Sequence, residues 1–352
     1  MTSSTRSFIL LHRHGHRSPS LNIYQNSGSA LKESSLWNHL IVNQSEHSEL
    51  SNQHPIYSPH HDLIKRIDVQ TRPFGCLTGK GKVHMTKIGA SLVKRHPLLK
   101  GTEIDAQKIS VNATNFQRTQ ASVQALLIGM GVRTSIPVHC RHVDICGMAF
   151  YDRIDMTKTR KIIKRVQLTP EFIALESTEL IKDARKQLIS ELPQLATNGP
   201  NGAFNYFAAF DYFYCREHHS LPIKQTLHDS RLSNVIERHM ANRFRLYFTH
   251  KEHIAMFALP LLRDIRHAID AKTLLTVFSG HDVNILGLLY GLGLSDAFPE
   301  GYWPFFGATV MFEVDHDTEQ ISIWLDLDNK PLASMSKQDF ASIMENHQQN
   351  II

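Results

Sequence analysis

Short, wholly apolar runs alternate along the chain with longer stretches whose apolar residues recur every three or four positions. Phe8-Ile9-Leu10-Leu11 is the first such run and reads as a buried strand. Lys108 to Val111, Thr273 to Phe278, Thr309 to Val314 and Gln320 to Leu325 read as further strands. Helical spacing is predicted from Lys82 to Arg95, before Pro97. A second helix follows Asn115, its expected cap, and keeps Val123, Leu126, Leu127 and Met130 in phase up to Gly131. That places Arg118 in its first turn, where free amide groups favour anions. Between Pro19 and Asp62 the chain is polar and loop-prone, with a short helix expected over Ala30 to Val42.

From about Cys140 to Lys251 the character changes. Thr169-Pro170-Glu171 starts an amphipathic stretch, Phe172 to Leu192, that ends at Pro193. A turn, Gly199-Pro200-Asn201-Gly202, precedes another helix, Ser230 to Phe248. Alternation then resumes with a helix, Glu252 to Asp270, a strand, a Ser279-Gly280 turn and a helix from His281-Asp282 to Tyr290. The expectation is an α/β core formed by residues 1–139 and 252–352, with helices on both faces of the sheet. Residues 140–251 form a mostly helical insertion that shapes substrate access.

Composition narrows the class. A chain of 352 residues exceeds one small core. The longest apolar stretches, such as Met256 to Leu262, fall far short of the roughly 18 residues of a membrane helix, so no integral membrane segment is expected. Met1 to Ser7 is polar and the following run too short for a secretory signal. The chain is therefore read as cytoplasmic, exported without a recognisable signal peptide, or stripped of a leader. Cys76, Cys140, Cys146 and Cys215 lack metal-like or CxxC pairing and read as buried thiols, with a Cys140–Cys146 disulfide left open. The net charge of +5 suits a small anionic substrate and is too weak for nucleic acid. The 22 histidines would add positive charge below about pH 6.

The chemistry concentrates in Arg13-His14-Gly15-His16-Arg17-Ser18-Pro19, which follows the first strand. Guanidinium groups grip phosphoryl oxygens in forked, charge-assisted bonds, and an imidazole between them has a lone pair able to attack phosphorus. Strand ends are where α/β sheets bind ligands, so His14 and His281, each after an apolar strand, are expected to share one site. Plainer readings stand beside these. A lone strand-end histidine is usually structural, Arg118 could pair with a carboxylate on its own helix, and Asp282 could be a helix cap. Alternating His12, His14 and His16 invite a metal reading, which the adjacent Arg17 opposes; no metal is expected. His60-His61-Asp62 and His218-His219 read as solvated loop residues. Phe204, Tyr206, Phe207, Phe210, Tyr212, Phe213 and Tyr214 could wall a lipid cleft but are read as core.

Residues 13–19 resemble the RHGxRxP signature of the histidine acid phosphatases, the second branch of the histidine phosphatase superfamily. His281-Asp282 is similar to that family's distal HD motif, Asn112 to Arg118 to its third-arginine segment, and Leu77-Thr78 with Gly81 to its LTxxG element. The segment departs from the family at Asn112, where an additional arginine is common. The resemblance implies a three-layer, phosphoglycerate mutase-like sandwich with a central, mostly parallel sheet. It implies that His14 is the nucleophile, that Arg13, Arg17, Arg118 and His281 bind the phosphoryl group, and that Asp282 protonates the leaving oxygen. It implies a metal-independent acid phosphatase with no cofactor, a small phosphate ester as partner, and a homodimer left open. Thr114-Asn115-Phe116 and His281-Asp282-Val283 look most similar to lysophosphatidic acid and prostatic acid phosphatases, whereas Asn284 is similar to the HDxN of phytases. A phosphomutase and a non-catalytic phosphate-ester-binding protein are the other readings.

Overall fold

A computed structural model describes residues 6–25, 27–57, 72–100, 105–141, 156–196, 203–223, 227, 230–298, 301–326 and 328–349. Among them one sheet has eight strands: β1 (Arg6–Arg13), β2 (Ile56–Tyr57), β3 (Ile109–Thr114), β4 (Val138–Arg141), β5 (Leu275–Gly280), β6 (Thr309–Asp315), β7 (Gln320–Leu325) and β8 (Ala333–Ser336). Their spatial order is β2-β4-β3-β5-β1-β6-β7-β8. The first five in that order run parallel, and β6, β7 and β8 pair antiparallel. Central β1 shows why its sequence is an unbroken apolar run. Successive side chains alternate faces, and both faces are covered by helices.

Phe8 and Leu10 face one layer, built from α2 (Gln44–Gln53), α3 (Gly79–Arg95) and α4 (Gln117–Gly129), while α1 (Ala30–Asn38) contributes Trp37 to a separate core. The intervening section holds α5 (Met156–Gln167), α6 (Pro170–Glu176), α7 (Glu179–Glu191), α8 (Tyr206–His218) and α9 (Ser230–Tyr247). Helices α7, α8 and α9 share that second core with Trp37, Trp303 and Phe306. On the other face of the sheet, Ile9 and Leu11 meet α10 (Lys251–Asp270), α11 (Asp282–Gly291) and Phe340 of α12 (Lys337–Gln349). The chain is thus a mixed α/β fold around a mostly parallel sheet with helices on both sides.

Several elements depart from the sequence expectation. The predicted helix over Phe172 to Leu192 is two helices, because Ser177 ends α6 and Thr178 begins α7. Helix α8 was expected only as an aromatic segment. Its residues from Ala208 through Arg216 are all buried, so no polar stripe marks its period. Helix α2 lies in the polar stretch read as loop, where an Asn43/Glu46 capping box compensates for a single buried apolar residue, Leu50. Strand β4 includes residue 140, where the insertion was expected to start. Asn115 is not the cap of α4; Phe116 holds that position without a side-chain cap. Cys76, Cys140 and Cys215 are buried. Cys146, His60-His61-Asp62 and the turn at 199–202 lie outside the described residues.

Helices α3 and α4 approach backbone to backbone. A Cβ at Gly89 would stand 2.1 Å from the Leu126 carbonyl oxygen, and one at Gly129 2.0 Å from that of Thr86. Substituting Gly89→Ala should force the helices apart and lower stability by about 1–3 kcal/mol, as overpacking does. Thermal denaturation measures it, and an unchanged midpoint would contradict the close approach.

Candidate active site

Three parallel strands deliver the polar side chains to one edge of the sheet. Arg13 of β1 is in register with Gly280 of β5, and Ala113 of β3 with Ser279. The pairing continues past the strand, since the His14 N–H donates to the Gly280 carbonyl at 2.9 Å. His14, the Thr114–Arg118 segment and His281-Asp282 therefore emerge side by side. The structure brings all six sequence-predicted site residues to this edge.

His14 is buried, and its Nδ1 lies 2.9 Å from the Gly15 carbonyl oxygen. A carbonyl only accepts, so Nδ1 carries the proton and Nε2 keeps its lone pair. Burial pushes the His14 pKa well below the ordinary imidazole value, and the charges of Arg118, Arg17, Arg13 and His281 push the same way. The ring thus stays neutral in mildly acidic solution. The His281 ring sits edge-on to it, with centroids 5.5 Å apart. His281 Nε2 is 2.9 Å from Thr114 Oγ1, whose hydroxyl donates onward to Thr119 Oγ1 at 2.9 Å. Thr119 in turn donates to the Thr114 and Phe116 carbonyls, so the relay requires a proton on His281 Nε2. Asn284 Oδ1 accepts from the His281 N–H at 2.8 Å and fixes the start of α11.

Each arginine is held by groups the sequence did not single out. Arg13 is fully buried; its Nη1 donates to the Pro304 carbonyl at 2.5 Å and to the Tyr214 hydroxyl at 3.3 Å. Its Nη2 lies 2.8 Å from Asp282 Oδ2, an ion pair without an aligned hydrogen bond. The Phe306 ring packs 4.5 Å from its guanidinium carbon. Arg17 makes a two-pronged pair with buried Asp211 of α8, at 2.7 and 3.1 Å. Burial opposes ionisation of Asp211, but Arg17 outweighs it and holds the carboxyl below its ordinary value. The same carboxylate accepts the Ser20 N–H at 2.5 Å. Arg118, just inside α4, packs its guanidinium carbon 4.2 Å from the Phe116 ring and donates to the Gly75 carbonyl at 3.2 Å. Asp282 is the first residue of α11 rather than its cap, a position occupied by His281, and its Oδ1 accepts the Val283 N–H at 2.9 Å.

The remaining histidines separate from this set. His12 is buried and its Nδ1–H donates to the Arg13 carbonyl at 3.0 Å. His16 instead packs against His84 of α3 and against His218 and His219 at the end of α8. The reading of His218-His219 as solvated loop residues is therefore corrected: their Nδ1–H groups donate to the Tyr214 and Cys215 carbonyls, back-bonding one helical turn. Among the described residues no group of three or more His, Cys, Asp or Glu side chains is arranged to hold a metal ion. Of the aromatic residues in and before α8, Tyr206, Phe210, Tyr212, Phe213 and Tyr214 are core, and Phe207 is exposed.

An α/β sheet whose strand ends gather a neutral imidazole, three guanidinium groups and a carboxylate belongs to a phosphoric monoester hydrolase. Residues 6–144 match the model of the histidine phosphatase superfamily (branch 2). No curated protein matches the sequence. Among solved structures, Hafnia alvei phytase in complex with myo-inositol hexakis sulphate is similar over 98% of this chain and 97% of its own, at 14% identity and a TM-score of 0.63. Citrobacter braakii phytase is similar over 99% and 98%, at 15% identity and TM-score 0.60. The Bifidobacterium longum multiple inositol polyphosphate phosphatase complex with inositol hexasulfate is similar over 91% and 86%, at 14% identity and TM-score 0.56. At such identities the likeness is one of fold.

Removing the Asp211 carboxylate would leave a buried guanidinium unpaired. Asp211→Ala should therefore destabilise the protein by about 3–5 kcal/mol in urea denaturation. Because the Asp211 pKa is lowered on folding, its contribution is complete above the ordinary carboxylate range and disappears as pH falls through the lowered value. The wild type should lose that increment on acidification and the variant should not.

Proposed function

We propose that the protein is an acid phosphatase that hydrolyses phosphate monoesters through a phosphohistidine on His14. The observation that carries this reading is the tautomer of His14. Its Nδ1–H is committed to the Gly15 carbonyl, so a basic Nε2 remains in a pocket ringed by Arg13, Arg17, Arg118 and His281. In the first step the Nε2 lone pair forms a bond to phosphorus as the ester P–O bond breaks. The Asp282 carboxyl proton passes to the departing oxygen and gives the alcohol. In the second step the Asp282 carboxylate takes a proton from water, the water oxygen bonds to phosphorus, and the P–N bond breaks to release phosphate and neutral His14.

The cations supply the electrostatic part. Charge on the equatorial oxygens is met by preoriented guanidinium groups that need no reorganisation at the moment of reaction. A phosphoryl group at Nε2 would also compete with Asp282 for Arg13 Nη2, releasing the carboxyl toward the leaving oxygen. The depressed His14 pKa supports activity in acid, because the nucleophile stays unprotonated where a carboxyl can carry its proton. Small organic phosphates are the substrate class. Inositol phosphates are favoured over lysophosphatidic acid, since the α8 aromatic residues offered as a lipid wall are mostly interior and the similar folds include phytases.

Phosphate release assayed between about pH 4 and 8 should peak below neutrality, with the acidic limb well under the ordinary imidazole value. His14→Ala should lose at least about a thousandfold in kcat, and unchanged release by that variant would refute the assignment. Asp282→Asn should slow alkyl esters by about 10²–10⁴-fold and p-nitrophenyl phosphate far less. An equal loss on both would remove Asp282 from the role of acid.

A further inference from the structure

Beside the arginine pocket lies a second cluster of basic side chains, four histidines and a lysine, that the proposed reaction does not use. The His16 ring centroid is 4.9 Å from that of His84, 5.7 Å from His218 and 5.7 Å from His219. Lys80, in the first turn of α3, donates from Nζ to the His218 carbonyl, and Thr78 Oγ1 lies 2.9 Å from His219 Nε2. Phe306 adjoins both groups, 5.0 Å from His16, 5.4 Å from His218 and 5.8 Å from His14. All four imidazoles are half-buried, and the Nδ1 atoms of His16 and His84 have no hydrogen-bond partner among the described residues. Imidazoles so close repel one another when charged, and an anion placed among them would cancel that repulsion.

We propose that His16, His84, His218 and His219, with Lys80, form a second oxyanion subsite that binds another phosphate group of the same substrate while the first sits at His14. This rests on the phosphatase reading and makes bis- or polyphosphorylated small molecules the preferred substrates. The charged neighbours are uniform in sign at short range. Lys80 and Lys87 of α3 act on His84, Arg13 on His218 and Arg17 on His219, while Glu217 precedes His218 on the exposed side of α8. Trp37 and Phe306 complete the walls without ionising.

Without a ligand the four imidazoles of the cluster resist protonation. Burial lowers the His16 pKa to about 3, with His84, His219, His218 and Lys80 adding to it, and the other three are lowered by burial first. A bound oxyanion cancels the mutual repulsion and raises these values, so binding takes up protons and tightens as pH falls. The subsite thus discriminates against singly phosphorylated esters most strongly in acid.

Calorimetric titration of the His14→Ala protein, which prevents turnover, tests the subsite independently of catalysis. The ligands are fructose 1,6-bisphosphate against fructose 6-phosphate, and 2,3-bisphosphoglycerate against 3-phosphoglycerate. At about pH 5 at least one bisphosphate should bind about tenfold or more tighter than its partner, the size of one charge-assisted hydrogen bond. That advantage should shrink at about pH 7.5, and buffers of different ionisation enthalpy should reveal proton uptake for the bisphosphate alone. His84→Gln with His218→Gln should abolish the advantage; the pH and buffer dependence of the parent protein decides the matter should that variant misfold. Equal affinities within both pairs, or an advantage indifferent to pH, would overturn the subsite. Failure of the phosphatase reading would appear separately, as absence of phosphate release by the wild type from any of the four esters.

Discussion

The site depends on the parallel register between β1 and β5. Arg13 opposite Gly280, extended by the bond from the His14 N–H to the Gly280 carbonyl, joins segments from opposite ends of the chain. A slip of one residue would turn Phe8 and Leu10 to the wrong layer and carry His14 with them. Ile9 and Leu11 would fail in the same way on the opposite face. The fit of one all-apolar strand between two packed layers thereby fixes the position of an imidazole it does not touch.

The second constraint is buried charge. Arg13 and Arg17 lie inside the protein, and a guanidinium there must be paired. Two solutions are visible. Arg17 has a permanent partner in Asp211, which the two-pronged pair keeps ionised against the cost of burial. Arg13 is shared among the Pro304 carbonyl, the Tyr214 hydroxyl and Asp282, with Phe306 against its face. Such divided attachment suits a group meant to exchange one oxygen partner for another. Helix α8 and the 302–308 loop therefore do more than cover the pocket: they set the orientation of its cations.

Much of this was legible in the residues. The strands β1, β5, β6 and β7 and the helices α3, α9, α10 and α11 follow from periodicity and turns, the motif at residues 13–19 points to Arg13, His14 and Arg17, and the family resemblance adds Arg118, His281 and Asp282. What escaped has physical reasons. Asp211 sits in an aromatic helix buried all round, so nothing in local spacing connects it to Arg17 across 194 positions. The supporting atoms at Gly15, Gly75 and Pro304 are main-chain carbonyls, which no side-chain pattern reports. His218 and His219 read as solvent-facing because their neighbours in sequence are polar, while their neighbours in space are His16, Tyr214 and Trp37.

Where Gly15 meets α3, main chain abuts main chain: a methyl group on Gly15 would fall 2.8 Å from the Gly81 carbonyl oxygen, and one on Gly81 2.1 Å from that of His16. Where those two segments touch, neither glycine can gain a side chain. Changes that admit bulkier or differently shaped alcohols must therefore fall on residues around this contact, while the contact itself keeps its shape.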